Sequence, residues 1–185
     1  MSSRTFFTSD THFGHKGILN YTDRPWRDTL EMDEKLIEYW NSVVRAGDHV
    51  YHLGDITFHT PKYFFESIYP RLNGQIHVVE GNHDKALRKY KDKFVTWDRL
   101  VSVKVNNQRI VLCHFPILSW ENKHHGWWHL HGHSHGNLGF DTGAARLDVG
   151  VDNVGYFPVD FEYIQTVMAI VVDRPVDHHR TGDNK

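Results

Sequence analysis

The chain is 185 residues long and 39% apolar, enough to bury the core of one domain. Its formal net charge of −2, with histidine neutral, gives no global attraction for nucleic acid or for an anionic membrane surface. A single cysteine, Cys113, excludes an internal disulfide, and no apolar stretch reaches the roughly 18 residues of a membrane-spanning helix.

In chain order, Met1-Ser2-Ser3-Arg4 runs into a strand at 4–9 without a secretion signal, so a cytoplasmic location is expected. A helix is predicted over 28–46. Asp28 and Glu31 have capping-box spacing, and Met32, Leu36, Trp40, Val43 and Val44 form one apolar face. A second strand runs to Gly54, a short helix follows at 61–68, and Asn73-Gly74 turns into a third strand at 75–80. A further helix is expected from Asp84 to Tyr90, with Leu87, Tyr90 and Phe94 facing inward. Strands at 99–105 and 108–114 read as a hairpin through Asn106-Asn107. Two more strands are predicted at 127–132 and 145–150. Near the end the pattern leaves two options, a helix capped by Asp160 or an edge strand at Val167–Val172. Alternating strands and helices followed by a strand-rich half argue for one α/β sandwich over residues 1–172, with a frayed polar tail at 173–185.

Five of these apolar runs end in metal-binding side chains. They lead into Asp10-Thr11-His12, Gly54-Asp55, Gly81-Asn82-His83-Asp84, His114 and Gly132-His133-Ser134-His135. Ligands of open α/β folds gather at the carboxyl ends of strands, so carboxylate, imidazole and amide groups converge on one crevice. A dinuclear metal site follows. Glycines at 54, 81, 132 and 136 stand where the backbone must turn sharply beside it.

These five blocks, in this order and spanning residues 6–150, resemble the signature of the calcineurin-like metallophosphoesterases. The resemblance implies an αββα sandwich with the dinuclear site at the strand ends. It implies that Asp10, His12, Asp55 and His135 hold one metal and Asp55, Asn82, His114 and His133 the other, with Asp55 bridging. Two divalent ions about 3.5–4 Å apart need such a shared carboxylate, and nitrogen and oxygen donors without thiolate suit manganese, iron, zinc, nickel or cobalt. The implied reaction is phosphoester hydrolysis by a hydroxide bridging the metals. His83 would protonate the leaving oxygen, and Asp84 would orient His83 and keep it protonated.

Around the metal blocks the expectations concern substrate. Arg24, ahead of Pro25, is expected to contact phosphate, and His15 to reach the crevice from the same loop. Trp120, Trp127 and Trp128 are read as packing before they are read as a stacking rim, and Lys85, Lys89 and Lys93 as a solvated helix face. His49, His52, His59 and His77 are expected to be satisfied or solvent-facing strand residues, with His131 a candidate to orient a ligand. The chain is too short for an added cap domain, which leaves an open site and favours a phosphodiester of nucleotide-like size. A phosphomonoesterase, or a metal-binding protein scaffold without activity, are the alternatives. Long nucleic acid is not expected as a partner, and the exposed-looking aromatics leave room for a homo-oligomer.

Overall fold

The computed structural model describes residues 3–174 and 176; the rest of the tail expected at 173–185 lies outside them. Strand β1 (Thr5–Thr8) is followed by one helical turn, α1 (Ile18–Tyr21), and by the long helix α2 (Thr29–Val43). The Asp28 side chain caps α2 by accepting from Glu31 N–H, and Met32, Leu36 and Trp40 are buried along its inner face. Next come β2 (His49–His52), α3 (Pro61–Tyr63) and β3 (Gln75–Val79). The chain continues through β4 (Thr96–Asp98), β5 (Leu100–Val105), β6 (Gln108–Cys113), β7 (Trp128–His131), β8 (Arg146–Asp148) and β9 (Val159–Asp160), ending in α4 (Phe161–Met168).

Two sheets flanked by helices form the sandwich. One has the order β4-β3-β2-β1-β9, with β1 to β4 parallel and β9 antiparallel; the other has the order β5-β6-β7-β8. One core, with Phe6, Trp40, Val50, Ile76 and Val78, lies between the first sheet and α2. A second, with Phe7, Leu53, Val79, Leu112, Leu130 and Ile164, joins the two sheets. A parallel bridge from Ser9 to Gly150 ties the sheets together at their carboxyl edge.

Three local expectations are corrected. The helix at 61–68 is α3 continued by a π turn over Phe64–Ile68 and a 3-10 turn over Tyr69–Arg71, where Pro70 cannot extend an α-helix. The segment after His83 is 3-10 (Asp84–Lys93), with Tyr90 out of helical geometry; Leu87 and Phe94 are buried but Tyr90 is 40% exposed. Asp173 and Arg174 are not frayed: the buried Lys123 ammonium binds both Asp173 oxygens at 2.6 Å and the Arg174 carbonyl at 2.8 Å. Of the two options at the end, the chain takes the helix, and Asp160 caps α4 through Tyr163 N–H.

Candidate metal centre

The candidate ligand side chains stand on the turns that leave β1, β2, β3, β6 and β7. Asp10 (φ 58°), His12 (50°), Asp55 (56°), His133 (68°) and His135 (47°) all adopt the left-handed backbone that side chains other than glycine rarely occupy. Such strain concentrates at functional sites and persists only where the surroundings enforce it. Here the turns brace one another, Asp10 N–H donating to Gly54 carbonyl and His12 N–H to Asp55 carbonyl, each at 3.0 Å. Gly54 (φ 94°) and Gly132 are needed for space as well. A Cβ on Gly54 would strike Gly81, and one on Gly132 would strike the Ser9 hydroxyl and Asp10 carboxylate.

Two groups of donors result, Asp10 with His12 and His135, and Asp55 with His114 and His133, each with its ligand atoms within 4.8 Å of one another. Asp55 links them, its Oδ2 lying 3.7 Å from His12 Nε2 and 3.5 Å from His114 Nε2. Asn82 Oδ1 meets His114 Nε2 at 3.0 Å. Hydrogen bonds at the outer atoms fix which atoms face inward. His114 Nδ1 donates to Leu53 carbonyl (2.7 Å) and His135 Nδ1 to Asp152 Oδ2 (2.7 Å), so each Nε2 is turned inward, that of His114 toward Asn82 Oδ1. Asp10 Oδ2 accepts from His133 N–H and Asp55 Oδ1 from His83 N–H, both at 2.9 Å.

Asp10 Oδ1 and His12 Nε2 are buried without any hydrogen-bond partner. Unpaired buried polar atoms are costly, and a cation held between these donors removes that cost. Burial alone would raise the Asp10 carboxyl, but His12, His114 and His135 hold it well below the usual carboxylate range, ready to ligate. The donor set thus fits divalent metal. His83 stands at the rim, its side chain 47% exposed and its Nε2 4.0 Å from Asp55 Oδ2.

Arg24 is not a phosphate contact. It is buried, and all five of its N–H donors are engaged: by both Asp152 oxygens (2.7 and 2.9 Å), Thr11 and Asp10 carbonyls (2.8 and 2.7 Å) and Met32 sulfur (3.4 Å). Its role is to hold Asp152, which in turn holds His135. Asp84 is corrected likewise. Its buried carboxylate accepts from the N–H groups of Asp55, Ile56 and Gly81 (2.8–2.9 Å), clamping two ligand turns together, and makes no hydrogen bond to the His83 imidazole. His15 does reach the crevice: its Nδ1 lies 3.3 Å from His12 Nδ1, and burial followed by the charge of His12 and His83 lowers its pKa to about 4.

Sequence reasoning missed Asp152 and Asp148. Asp148 Oδ2 accepts from Ser134 Oγ (2.7 Å) and Gly136 N–H (3.0 Å), bracing the turn between His133 and His135. Both acids sit at or just past β8, so the strand-end rule applied to this strand too would have found them. Of the remaining histidines, His52 is buried and bridges Gly54 N–H and Thr11 Oγ, and burial lowers its pKa to about 3. His131 donates to Gly132 carbonyl (2.9 Å), within the turn that carries His133. Trp120 is buried and Trp127 and Trp128 pack against the inter-sheet core, as expected of packing residues.

The descriptive match to known proteins agrees with this geometry. The calcineurin-like phosphoesterase superfamily domain matches residues 4–147. An uncharacterized protein of Methanocaldococcus jannaschii is 32% identical over 167 residues, covering 87% of this chain and 89% of the relative. The Gene 66 protein of Mycobacterium phage D29 is 27% identical, covering 81% and 88% respectively. Among solved structures, a protein of unknown function from Aquifex aeolicus superposes with a TM-score of 0.71 at 22% identity, over 90% of this chain and 100% of that one, a likeness of fold. The domain match over most of the chain, with two donor groups at the strand ends of a two-sheet sandwich, places it in the calcineurin-like phosphoesterase superfamily.

Proposed function

We propose that the chain hydrolyses phosphodiesters of small, nucleotide-like substrates, with two divalent transition-metal ions held by Asp10, His12, Asp55, Asn82, His114, His133 and His135. The observation that carries this reading is the pair of orphaned buried atoms, Asp10 Oδ1 and His12 Nε2, in one of two neighbouring donor groups. Bound there, such ions would supply positive charge for the phosphoryl oxygens and a nucleophile from water near neutral pH. Manganese is our first candidate, ahead of iron, zinc, nickel and cobalt, since all suit nitrogen and oxygen donors.

The protein's own groups then have separable tasks. Asp55 serves both donor groups, Asp152 and Leu53 carbonyl fix His135 and His114, and Asp84 holds the β2 and β3 turns at their spacing. His83, exposed at the rim, gives a proton to the leaving oxygen. Asn82, His83 and His133 are all exposed, so the crevice is open enough for groups on both sides of a diester. No helix among the described residues is long and apolar enough to cross a membrane, and a reducing cytoplasm is the setting we propose.

The test is to strip the protein, reload it with Mn²⁺, and assay a chromogenic phosphodiester beside its monoester. Metal-dependent diester cleavage, reduced about 10²–10⁴-fold in His83→Ala with metal content unchanged, is the expected result. Turnover of the monoester alone would make the protein a phosphomonoesterase. Two bound ions with neither ester cleaved would favour a metal-binding scaffold.

A further inference from the structure

Two phenylalanines border the metal crevice and stay exposed, Phe58 at 42% and Phe115 at 43%. Neither belongs to the donor set, and each follows a ligand closely in sequence, Asp55 and His114 respectively. Phe58 stacks face to face on His15, with ring centroids 3.7 Å apart and an interplanar angle of 8°. It also lies 4.9 Å from the His83 ring and 5.4 Å from His12. Phe115 borders the other donor group, its ring 4.7 Å from His133 and 5.0 Å from His114. Thus each donor group has its own aromatic neighbour, and the ring beside His83 has one face held by His15.

Shielding the ligand imidazoles does not require so much open ring surface at a polar rim, where exposed Phe is unfavourable in water. A planar partner would cover it. We propose that Phe58, braced by His15, stacks against a planar aromatic ring carried on the leaving oxygen of the substrate, while Phe115 borders the group retained on phosphorus. The placement follows from His83: a ring attached to the oxygen that His83 protonates falls next to the aromatic surface 4.9 Å from His83. The ring is a nucleobase or another aryl group, since either offers the π-face that stacking needs and neither needs a hydrogen-bond code. Aliphatic alcohols and serine side chains lack such a face. This inference rests on the phosphoesterase reading and narrows its substrate.

The experiment compares two alkoxide esters of equal size, benzyl methyl phosphate and cyclohexylmethyl methyl phosphate, with Mn²⁺-loaded protein. The first carries a planar ring and the second a puckered one, so the ratio of their kcat/KM values isolates stacking. We expect the wild type to favour the benzyl ester. Phe58→Ala should reduce that ratio by about 5- to 150-fold, the range of a lost base-stacking contact, and Phe58→Trp should restore it. His15→Ala should lower the ratio in the same direction. A ratio of one in the wild type, or equal losses on both esters in Phe58→Ala, would overturn the inference while leaving hydrolysis standing. No turnover of either ester by metal-loaded wild type would overturn the hydrolase reading and the inference with it. Adenosine and uridine 5′-methyl phosphates then separate the two sources: Phe58-dependent cleavage of these identifies a nucleobase, and dependence confined to the benzyl ester identifies another aryl ring.

Discussion

At the scale of single residues, the unexpected finding is how much of the site is held from one step behind the ligands. Arg24 and Asp152 form a buried bidentate pair that orients His135 through Asp152, while Arg24 also holds the Asp10 and Thr11 carbonyls. An imidazole whose Nδ1–H is held by a carboxylate presents Nε2 in one tautomer and one direction. Asp152→Asn keeps the shape but can no longer balance the Arg24 charge or polarise His135. We expect metal affinity at the Asp10, His12 and His135 group to fall about 10- to 100-fold, read by titration of stripped protein with Mn²⁺. Unchanged affinity would mean that the pair serves the fold alone. Arg24 also illustrates how residue type misleads. An arginine beside the first metal block suits phosphate chemically, but only the folded structure shows that each of its donors is already engaged.

At the scale of elements, short pieces escape a pattern-based reading while long ones do not. Helix α2 was legible because its cap and apolar face repeat over four turns. Strand β4 spans Thr96–Asp98 and β9 only Val159–Asp160, too few residues to display alternation. The hairpin at Asn106-Asn107 was legible, and both asparagines do take positive φ, 47° and 70°, as a tight turn of that hand requires. The C-terminal segment reads as polar tail by composition, yet Asp173 neutralises a lysine whose side chain is 2% exposed. A chain ending at residue 172 would leave Lys123 buried without its carboxylate. We expect it to lose about 3–5 kcal/mol in urea unfolding relative to the full-length protein. Equal stability of the two would show that Lys123 finds another partner.

For the whole molecule, two buried neutral histidines tie stability to pH. Burial lowers the pKa of His52 to about 3 and that of His129 to about 4, the hydrogen bond of His129 to Val111 carbonyl opposing this only in part. Below the ordinary histidine value of 6.5 the unfolded chain binds these protons and the folded chain does not. Stability therefore falls as pH drops below 6.5, by about 1.4 kcal/mol per pH unit for each group, until the folded values near 4 and 3 are passed. Urea unfolding of metal-free protein at pH 7 and pH 5 measures the slope, and His129→Asn should remove one histidine's share of it. A slope unaltered by that substitution would reassign the protons elsewhere. The two histidines lie one in each sheet's β2 or β7, so acid is expected to loosen both halves of the sandwich together.

Chain order by itself determined the α/β architecture and the family likeness, and it marked the carboxylate and imidazole donors that the fold gathers into two groups, because these side chains stand directly after recognisable strands. The sequence also marked His83, which stands exposed at the rim beside Asp55. What it did not determine is every assignment that depends on which groups meet across the fold. The Asp84 carboxylate faces backbone N–H groups 28 and 29 residues away rather than its neighbour His83, and Arg24 meets Asp152 across 128 residues. Phe58 and Phe115 look in sequence like ordinary apolar residues after a ligand, whereas folding leaves them exposed beside the crevice. Side-chain chemistry is local and written in residue type; burial, pairing and the direction of a free atom are set by packing, and only the tertiary structure decides them.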